Sequence, residues 1–339
     1  MLGTLRFILA WFVMLSHLPF SPFPIGFNPG VSSVILFYFI SGYLMFFSFA
    51  KIPLKKFKQK MIFFYLKRIF RLFPLYLIIL FFTIFLIHHY QHSNLIPLLN
   101  QNLSISKIFI NMLLIFNNYV FPPFQIKALL PHPLIPTTWS LSSEWHYYLL
   151  VPFLFYLLIK KKKIFIYVIL LFSLAFELYA FSHNSPLFNA DNFGYRYIFG
   201  VLWIFLVGFL FAQEGYSKFL KVIYFSLLVY FLLWGFYYSN HPYSREILFA
   251  VFFAPVLPVI KNLEFKYDYY LGQLSYPIFI SQFSIFYLVE HLIGYDNKVK
   301  FFMSVFGLVL IISIILAFIH IILYPFLTNK FSRIVEKKL

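Results

Sequence analysis

Long apolar runs succeed one another along this chain, separated by short basic stretches or by clusters of Pro, Gly and Asn. The pattern predicts ten membrane-spanning helices, over 5–20, 30–50, 72–90, 145–159, 164–181, 195–213, 222–238, 247–260, 270–290 and 301–326. A spanning helix needs about 20 apolar residues, with a range of about 17–25, so the short cores at 145–159 and 247–260 must borrow flanking residues. The run 108–121 is apolar too, but it holds Asn111, Asn117 and Asn118 and ends on Pro122 and Pro123.

Charge decides the fate of that run. The strongest basic clusters, over 51–71 and at Lys160 to Lys163, both belong on the cytoplasmic side by the positive-inside rule. An even number of crossings must separate them, and 72–90 with 145–159 supplies two. The segment 108–121 is therefore expected to be interfacial or re-entrant on the outer side, which is tolerable only where protein buries its backbone. Both chain ends then fall in the cytoplasm, with 21 basic residues inside and six outside.

Composition agrees with a bilayer environment. Of 339 residues, 62% are hydrophobic and only 11% are charged, against about 45–50% apolar and about 25% charged in soluble domains. A water-soluble fold is excluded. The net charge of +17 has a sufficient topological cause, and no nucleic-acid motif accompanies it. The absence of Cys removes disulfides, thiolate metal sites and a cysteine nucleophile. Arg6 and the apolar stretch after it look like a signal peptide, but no A-x-A-like site follows, so this is read as a retained helix. The expected fold is an all-α, polytopic helix bundle forming a single integral membrane unit over 1–339, with no appended soluble domain. Gly42, Gly200, Gly208 and Gly272 are candidate positions of close helix approach. No internal repeat is evident, which disfavours transporters built from two related halves.

Three groups of residues can carry chemistry. Arg6 and His17 are eleven residues apart, which returns them to nearly one helix face about 16 Å apart along the axis. They are either an anchor and an interfacial residue, or a phosphate-binding cation and a general base. Around Thr138 to Tyr148, Glu144, His146 and three serines gather at the outer mouth of a helix. An ionisable group at membrane depth is a functional hypothesis by default, and the alternative is an aromatic interface belt with Glu144 at a helix N-terminus. Lys67, Arg68 and Arg71 lie within one turn of the third helix, suited either to phosphates or to topology and anionic lipid. His88 and His92 stand at i, i+4 without an identifiable third ligand, so no metal site is expected. Arg196, Glu177, Glu246 and Glu290 are either buried polar groups or interface residues.

These pieces occur in a familiar order. The chain resembles the acyltransferase-3 family of integral membrane acyltransferases, through Arg6 and His17 (Arg, ten residues, His), Phe37 to Leu44 (like FFxxSGY/FL), Arg68, Arg71 and Pro74 (like RxxRxxP), Trp139 to Pro152 (like WSLSxExxxYxxxP) and Leu271, Gly272, Ser275 and Tyr276 (LGxxSY). Two positions depart from that pattern: Gln282 stands where relatives often carry His, and Tyr324 where an acidic residue often precedes the final Pro. Ser33 and Ile35 also replace the common Gly and Asp.

The resemblance implies an O-acyltransferase of a bacterial inner membrane. It would move an acyl group, acetyl in the first instance, from cytoplasmic acyl-CoA to a hydroxyl of an extracytoplasmic carbohydrate or glycolipid, such as lipopolysaccharide. Acyl-CoA is a co-substrate, and no tightly bound cofactor or nucleic-acid partner is expected beyond the surrounding membrane lipids. On this basis Arg6, with Lys67, Arg68 or Arg71, holds donor phosphates. His17 acts as base or acyl acceptor, and Glu144 orients it. Ser140, Ser142, Trp139 and Tyr148 contact the acceptor or the oxyanion. Two other classes are carried alongside: a transporter or flippase of a lipid-linked sugar, and a structural subunit of a polysaccharide-export complex.

Overall fold

The computed structural model describes all residues except 21–22, 24–27, 91, 184, 186–188, 215–220, 222–223, 226, 230–231, 233–242 and 339. Every regular element among them is helical. The helices are α1 (Leu2–Ser16), α2 (Pro29–Ala50), α3 (Phe57–Tyr90), α4 (Ile105–Met112), α5 (Thr138–Ile159), α6 (Ile164–His183), α7 (Ile198–Glu214), α8 (Ser244–Phe253), α9 (Leu257–Asn262), α10 (Asp268–Ile293) and α11 (Lys298–Lys338).

Six helices among the described residues are long and apolar enough to cross a membrane: those over Pro29–Ala50, Phe57–Tyr90, Ile164–His183, Asn192–Gln213, Asp268–Ile293 and Lys298–Val335. The expected span 222–238 falls largely outside the described residues. The span expected at 247–260 is broken into α8, a 3-10 turn at Ala254–Val256 and α9. Pro255 and Pro258 cause this, since each removes an N–H donor and clashes with the preceding turn. The core at 145–159 extends back to Thr138, so α5 carries its polar residues inside the helix. The third helix starts at Phe57, so the span expected over 72–90 is the apolar part of a longer helix that carries Lys67, Arg68 and Arg71. Hydropathy falls across its lysines and arginines, but no Gly or Pro interrupts 57–73, and the backbone hydrogen bonds continue regardless.

α2 is the hub, packing on α1, α3, α5, α7 and α8. Its closest partner is α7, through two glycines. A Cβ on Gly42 would stand 2.0 Å from the Phe205 carbonyl oxygen, and one on Gly208 2.2 Å from that of Phe39. Backbones can approach this far only without side chains between them, the usual device where lipid supplies no hydrophobic drive for helix association. Gly200 and Gly272 are also at close approaches, against Phe193 and Gly3.

Polar groups set the helix ends. Asn28 caps α2, its Oδ1 accepting from the N–H groups of Gly30 and Val31 at 2.9 and 3.3 Å, with Pro29 at the first helical position. The Asp268 carboxylate, at the start of α10, accepts from the Thr4 N–H at 2.7 Å and the Gly3 N–H at 3.2 Å. A carboxylate at a helix N-terminus is favoured by the exposed N–H groups there, and this one docks α1 on α10.

The ambiguous run 108–121 does not form a spanning helix. It begins in α4, eight residues long and too short to cross, and continues as turns. Its three asparagines hold it in place. Asn111 Oδ1 accepts from the Leu134 N–H at 2.8 Å. Asn117 Nδ2 donates to Thr138 Oγ1 at 2.9 Å and to the Tyr76 hydroxyl at 3.0 Å, while Asn118 meets Ser142 and Ser143 of α5. All three are buried, so the irregular backbone is satisfied by protein, as a non-helical segment at this depth requires.

Candidate active site

Five helices converge on a cavity of about 70 Å3. α1 contributes Arg6, α2 Ser41, α3 Arg71, α5 Glu144 and Tyr148, and α10 Tyr276. Glu144 Oε1 accepts from Ser41 Oγ and, at 2.5 Å, from the Tyr148 hydroxyl. The Tyr276 hydroxyl donates to the Leu72 carbonyl at 2.9 Å and ties α10 to α3 beside Arg71. The serine of the second-helix motif thus meets the glutamate of the fifth, a pairing across 103 residues of chain.

Arg6 and Arg71 face this space without an ion pair or hydrogen bond to any described residue. Arg6 feels the charges of Arg71, Glu144 and Arg68, and Arg71 those of Arg68 and Glu144. Two guanidinium groups against one carboxylate, itself already taken up by two hydroxyls, leave net positive charge in a largely desolvated place. Such charge is costly unless an anion completes it, and planar guanidinium forks suit phosphate or carboxylate oxygens.

Lys67 and Arg68, expected to join Arg6, do not line the cavity. They lie about one turn from Arg71 along α3, roughly 4.5–6 Å. Arg68 is buried, donating to Ser48 Oγ at 3.0 Å, with its guanidinium 5.7 Å from the Tyr148 ring. Lys67 lies 5.8 Å over the Phe63 ring.

Eleven residues along α1 from Arg6, at its other end, His17 opens on a second, larger cavity of about 330 Å3. Val34, Ser140 and Phe279 line both cavities, which adjoin there. Glu144, one turn beyond Ser140 on α5, opens on the Arg6 side. The expectation that it orients His17 is therefore corrected: Gln282 holds the imidazole, with its Oε1 3.2 Å from His17 Nδ1. Gln282 Nε2 donates to the Phe279 carbonyl at 2.8 Å, which turns the amide oxygen toward the histidine. A carbonyl oxygen only accepts, so Nδ1 carries the proton and Nε2 keeps its lone pair. Phe283 packs against the ring with centroids 4.9 Å apart.

The remaining expected residues divide between the two cavities and the scaffold. Trp139 lines the His17 cavity and Tyr148 the Arg6 cavity. Ser140 stands at the shared wall, with Oγ bonded to the Thr137 carbonyl at 3.0 Å. Ser142 lines neither cavity. It is fully buried, bonding the Ile115 carbonyl and, at 2.8 Å, Asn118 Oδ1, so it anchors the 108–121 segment. Two residues left unassigned by sequence, Glu246 and Glu290, fasten loops: Glu246 accepts from the Asn28 N–H and Glu290 from the Asn94 N–H, each at 2.8 Å.

Arg196 is the site residue that sequence reasoning left undecided. It ends a π turn at Asn192–Arg196 that leads into α7; such turns recur at functional sites. Its guanidinium carbon lies 4.5 Å from the Phe121 ring centroid and 4.4 Å from that of Trp139. Its Nε donates to Asp191 Oδ2 at 2.8 Å, and the Tyr243 hydroxyl donates to Asp191 Oδ1 at 2.5 Å. His132 lines the same cavity. Burial, together with the charges of Arg196 and Lys107, holds its imidazole below the ordinary histidine range, so it is neutral at pH 7.

Residues 2–322 match the acyltransferase domain family, acyltransferase-3, a stretch that includes Arg6, His17, Arg71, Glu144 and Gln282. An uncharacterized protein of Aquifex aeolicus (strain VF5) is 28% identical over 213 residues, which covers 59% of this chain and 89% of that one. No solved structure matches the chain. With the family match running through nearly its whole length and through both cavities, this chain belongs to the acyltransferase-3 family and is a membrane acyltransferase.

Proposed function

We propose that the protein transfers an acyl group, acetyl in the first instance, from cytoplasmic acyl-CoA to a hydroxyl of an extracytoplasmic carbohydrate in a bacterial inner membrane. The observation that carries this reading is the pair of cavities at the two ends of α1. One holds unpartnered guanidinium groups and the other a histidine with a free basic nitrogen, and the two adjoin at Val34, Ser140 and Phe279, which line both.

Arg6 and Arg71 bind donor phosphates from the cytoplasmic side, with Glu144, held by Ser41 and Tyr148, facing the same cavity. The pantetheine arm runs along α1 past Ser140, covering roughly the 16 Å between Arg6 and His17. At the far end, His17 Nε2 takes the proton of the acceptor hydroxyl as its oxygen attacks the thioester carbonyl. The carbon–oxygen ester bond forms, the carbon–sulfur bond breaks, and the proton passes from the imidazolium to the departing thiolate. Ser140 reaches the carbonyl oxygen by turning its hydroxyl from the Thr137 carbonyl, as charge develops there.

The test is mass spectrometry of envelope glycans from a deletion strain and from the same strain carrying the wild-type gene. An acetyl group lost on deletion and regained on complementation supports the reading and identifies the acceptor. Unchanged acylation with altered glycan export would overturn it.

A further inference from the structure

The cavity around His17 has a chemical bias that acyl transfer alone does not require. Arg196 is the charged side chain lining it: Glu144 opens on the other cavity, Asp191 stands behind the guanidinium, and His132 is neutral. Sites for neutral sugars need acceptors for hydroxyl protons, and an arginine has five donors and no acceptor. Asp191 takes up Nε, and the terminal amino groups of Arg196 bond no described residue. The Phe121 and Trp139 faces clamp the guanidinium plane, so its remaining donors are held ready at little entropic cost. Beside it, Trp139, Tyr195 and Tyr243 form a row of cavity-lining rings with centroids 4.9 and 4.7 Å apart, whose outer edges offer apolar and hydroxyl contacts to a sugar ring.

Resting on the reading of this cavity as the acceptor site, we propose that the acceptor is an anionic saccharide, whose carboxylate or phosphate group is bound by Arg196 while its ring packs on the aromatic row. The anionic group then fixes which hydroxyl reaches His17 Nε2, making Arg196 a specificity-determining residue.

The experiment uses the full chain in lipid nanodiscs and measures equilibrium binding of methyl glucuronide, glucose 6-phosphate and methyl glucoside. At least one anionic sugar should bind about tenfold or more tightly than the neutral one, the value of one hydrogen bond to a charged group. Preference for the glucuronide assigns a carboxylate, and preference for the sugar phosphate a phosphate. Arg196→Gln should abolish the preference, and Arg196→Lys should keep part of it. Equal binding of the three sugars by wild type, no binding of either anionic sugar, or a preference that survives Arg196→Gln would overturn the proposal. The wild-type comparison stands even where the variants fold poorly. Acetyl-CoA binding in the same samples separates the two levels: donor binding without anionic preference overturns this inference alone, whereas loss of donor binding strikes the acyl-transfer reading.

Discussion

The two cavities on either side of Ser140 are built on opposite principles. Around Arg6, cations are left without partners and the carboxylate is tied down by Ser41 and Tyr148. Around His17, the cation is clamped between Phe121 and Trp139 and tied to Asp191, and the imidazole is tied to Gln282. The first arrangement is completed by a ligand that brings several negative oxygens. The second has its imidazole set by Gln282 and its guanidinium positioned through Nε, with the terminal donors still open, and suits a reaction in which a single proton moves. On the acyl-transfer reading proposed above, division of one site into a binding half and a chemical half, joined by one helix, would let a donor held at one membrane face react with an acceptor at the other.

The sharpest way to break this contrast is to remove the base. We expect His17→Ala to lower transfer by about 10²–10⁴-fold, the usual contribution of a positioned acid or base, while acetyl-CoA binding stays within about twofold. Loss of donor binding to the same degree would mean that the halves are not separate. Arg6→Ala should show the converse, weakening acetyl-CoA binding by roughly 10–150-fold, as for a lost hydrogen bond to a charged group of about 1.5–3 kcal/mol. Arg6→Lys should recover only part, because an ammonium keeps the charge without the planar fork. Equal loss of folded protein and of donor binding in both variants would point to a membrane anchor instead.

Next in size is a change that cannot discriminate between the halves. α2 lines both cavities, with Ser41 in one, Val31 in the other and Val34 in each. Gly42→Ala would put a methyl group 2.0 Å from the Phe205 carbonyl oxygen. The helices must part, at an expected cost of about 1–3 kcal/mol in stability. Thermal unfolding in detergent should report that loss, and donor binding and transfer should decline together. A decline in one alone would show that α2 does not couple the cavities.

Much of this organisation was legible in the sequence, for physical reasons. Arg6 and His17 lie on one helix, so their separation follows from helix geometry alone. The close approaches at Gly42, Gly200, Gly208 and Gly272 follow from the need of membrane helices for small residues at contacts. What failed were contacts between distant segments. The partner of Glu144 is Ser41 rather than His17, because a difference of one turn on α5 decides which cavity a side chain enters. Arg196 gains its meaning from Phe121 and Trp139, 75 and 57 positions away in the chain, and no local pattern records that. Ser142 sits in a motif that suggests chemistry, and the structure uses it to hold a loop. α3 starts well before the span expected within it, because hydropathy reports where lipid ends rather than where a helix ends.

The smallest expected effect concerns Gln282, the residue that holds the His17 imidazole. The amide does for His17 what a carboxylate does in many catalytic sites, but without a charge. Its Nε2 is committed to the Phe279 carbonyl and its Oε1 faces Nδ1, so it selects the tautomer and leaves the basicity of Nε2 to the surroundings. Leu at this position removes the acceptor, and the imidazole is then free to carry its proton on either nitrogen and to rotate against Phe283. The loss is one neutral hydrogen bond of about 1 kcal/mol, so Gln282→Leu should lower turnover about fivefold and leave both donor binding and protein stability nearly unchanged. Steady-state rates at saturating acetyl-CoA would measure this. A loss as large as that of His17→Ala would mean that Gln282 itself meets the reacting groups, and an unchanged rate would mean that the ring is held by Phe283 and the helix end rather than by the amide.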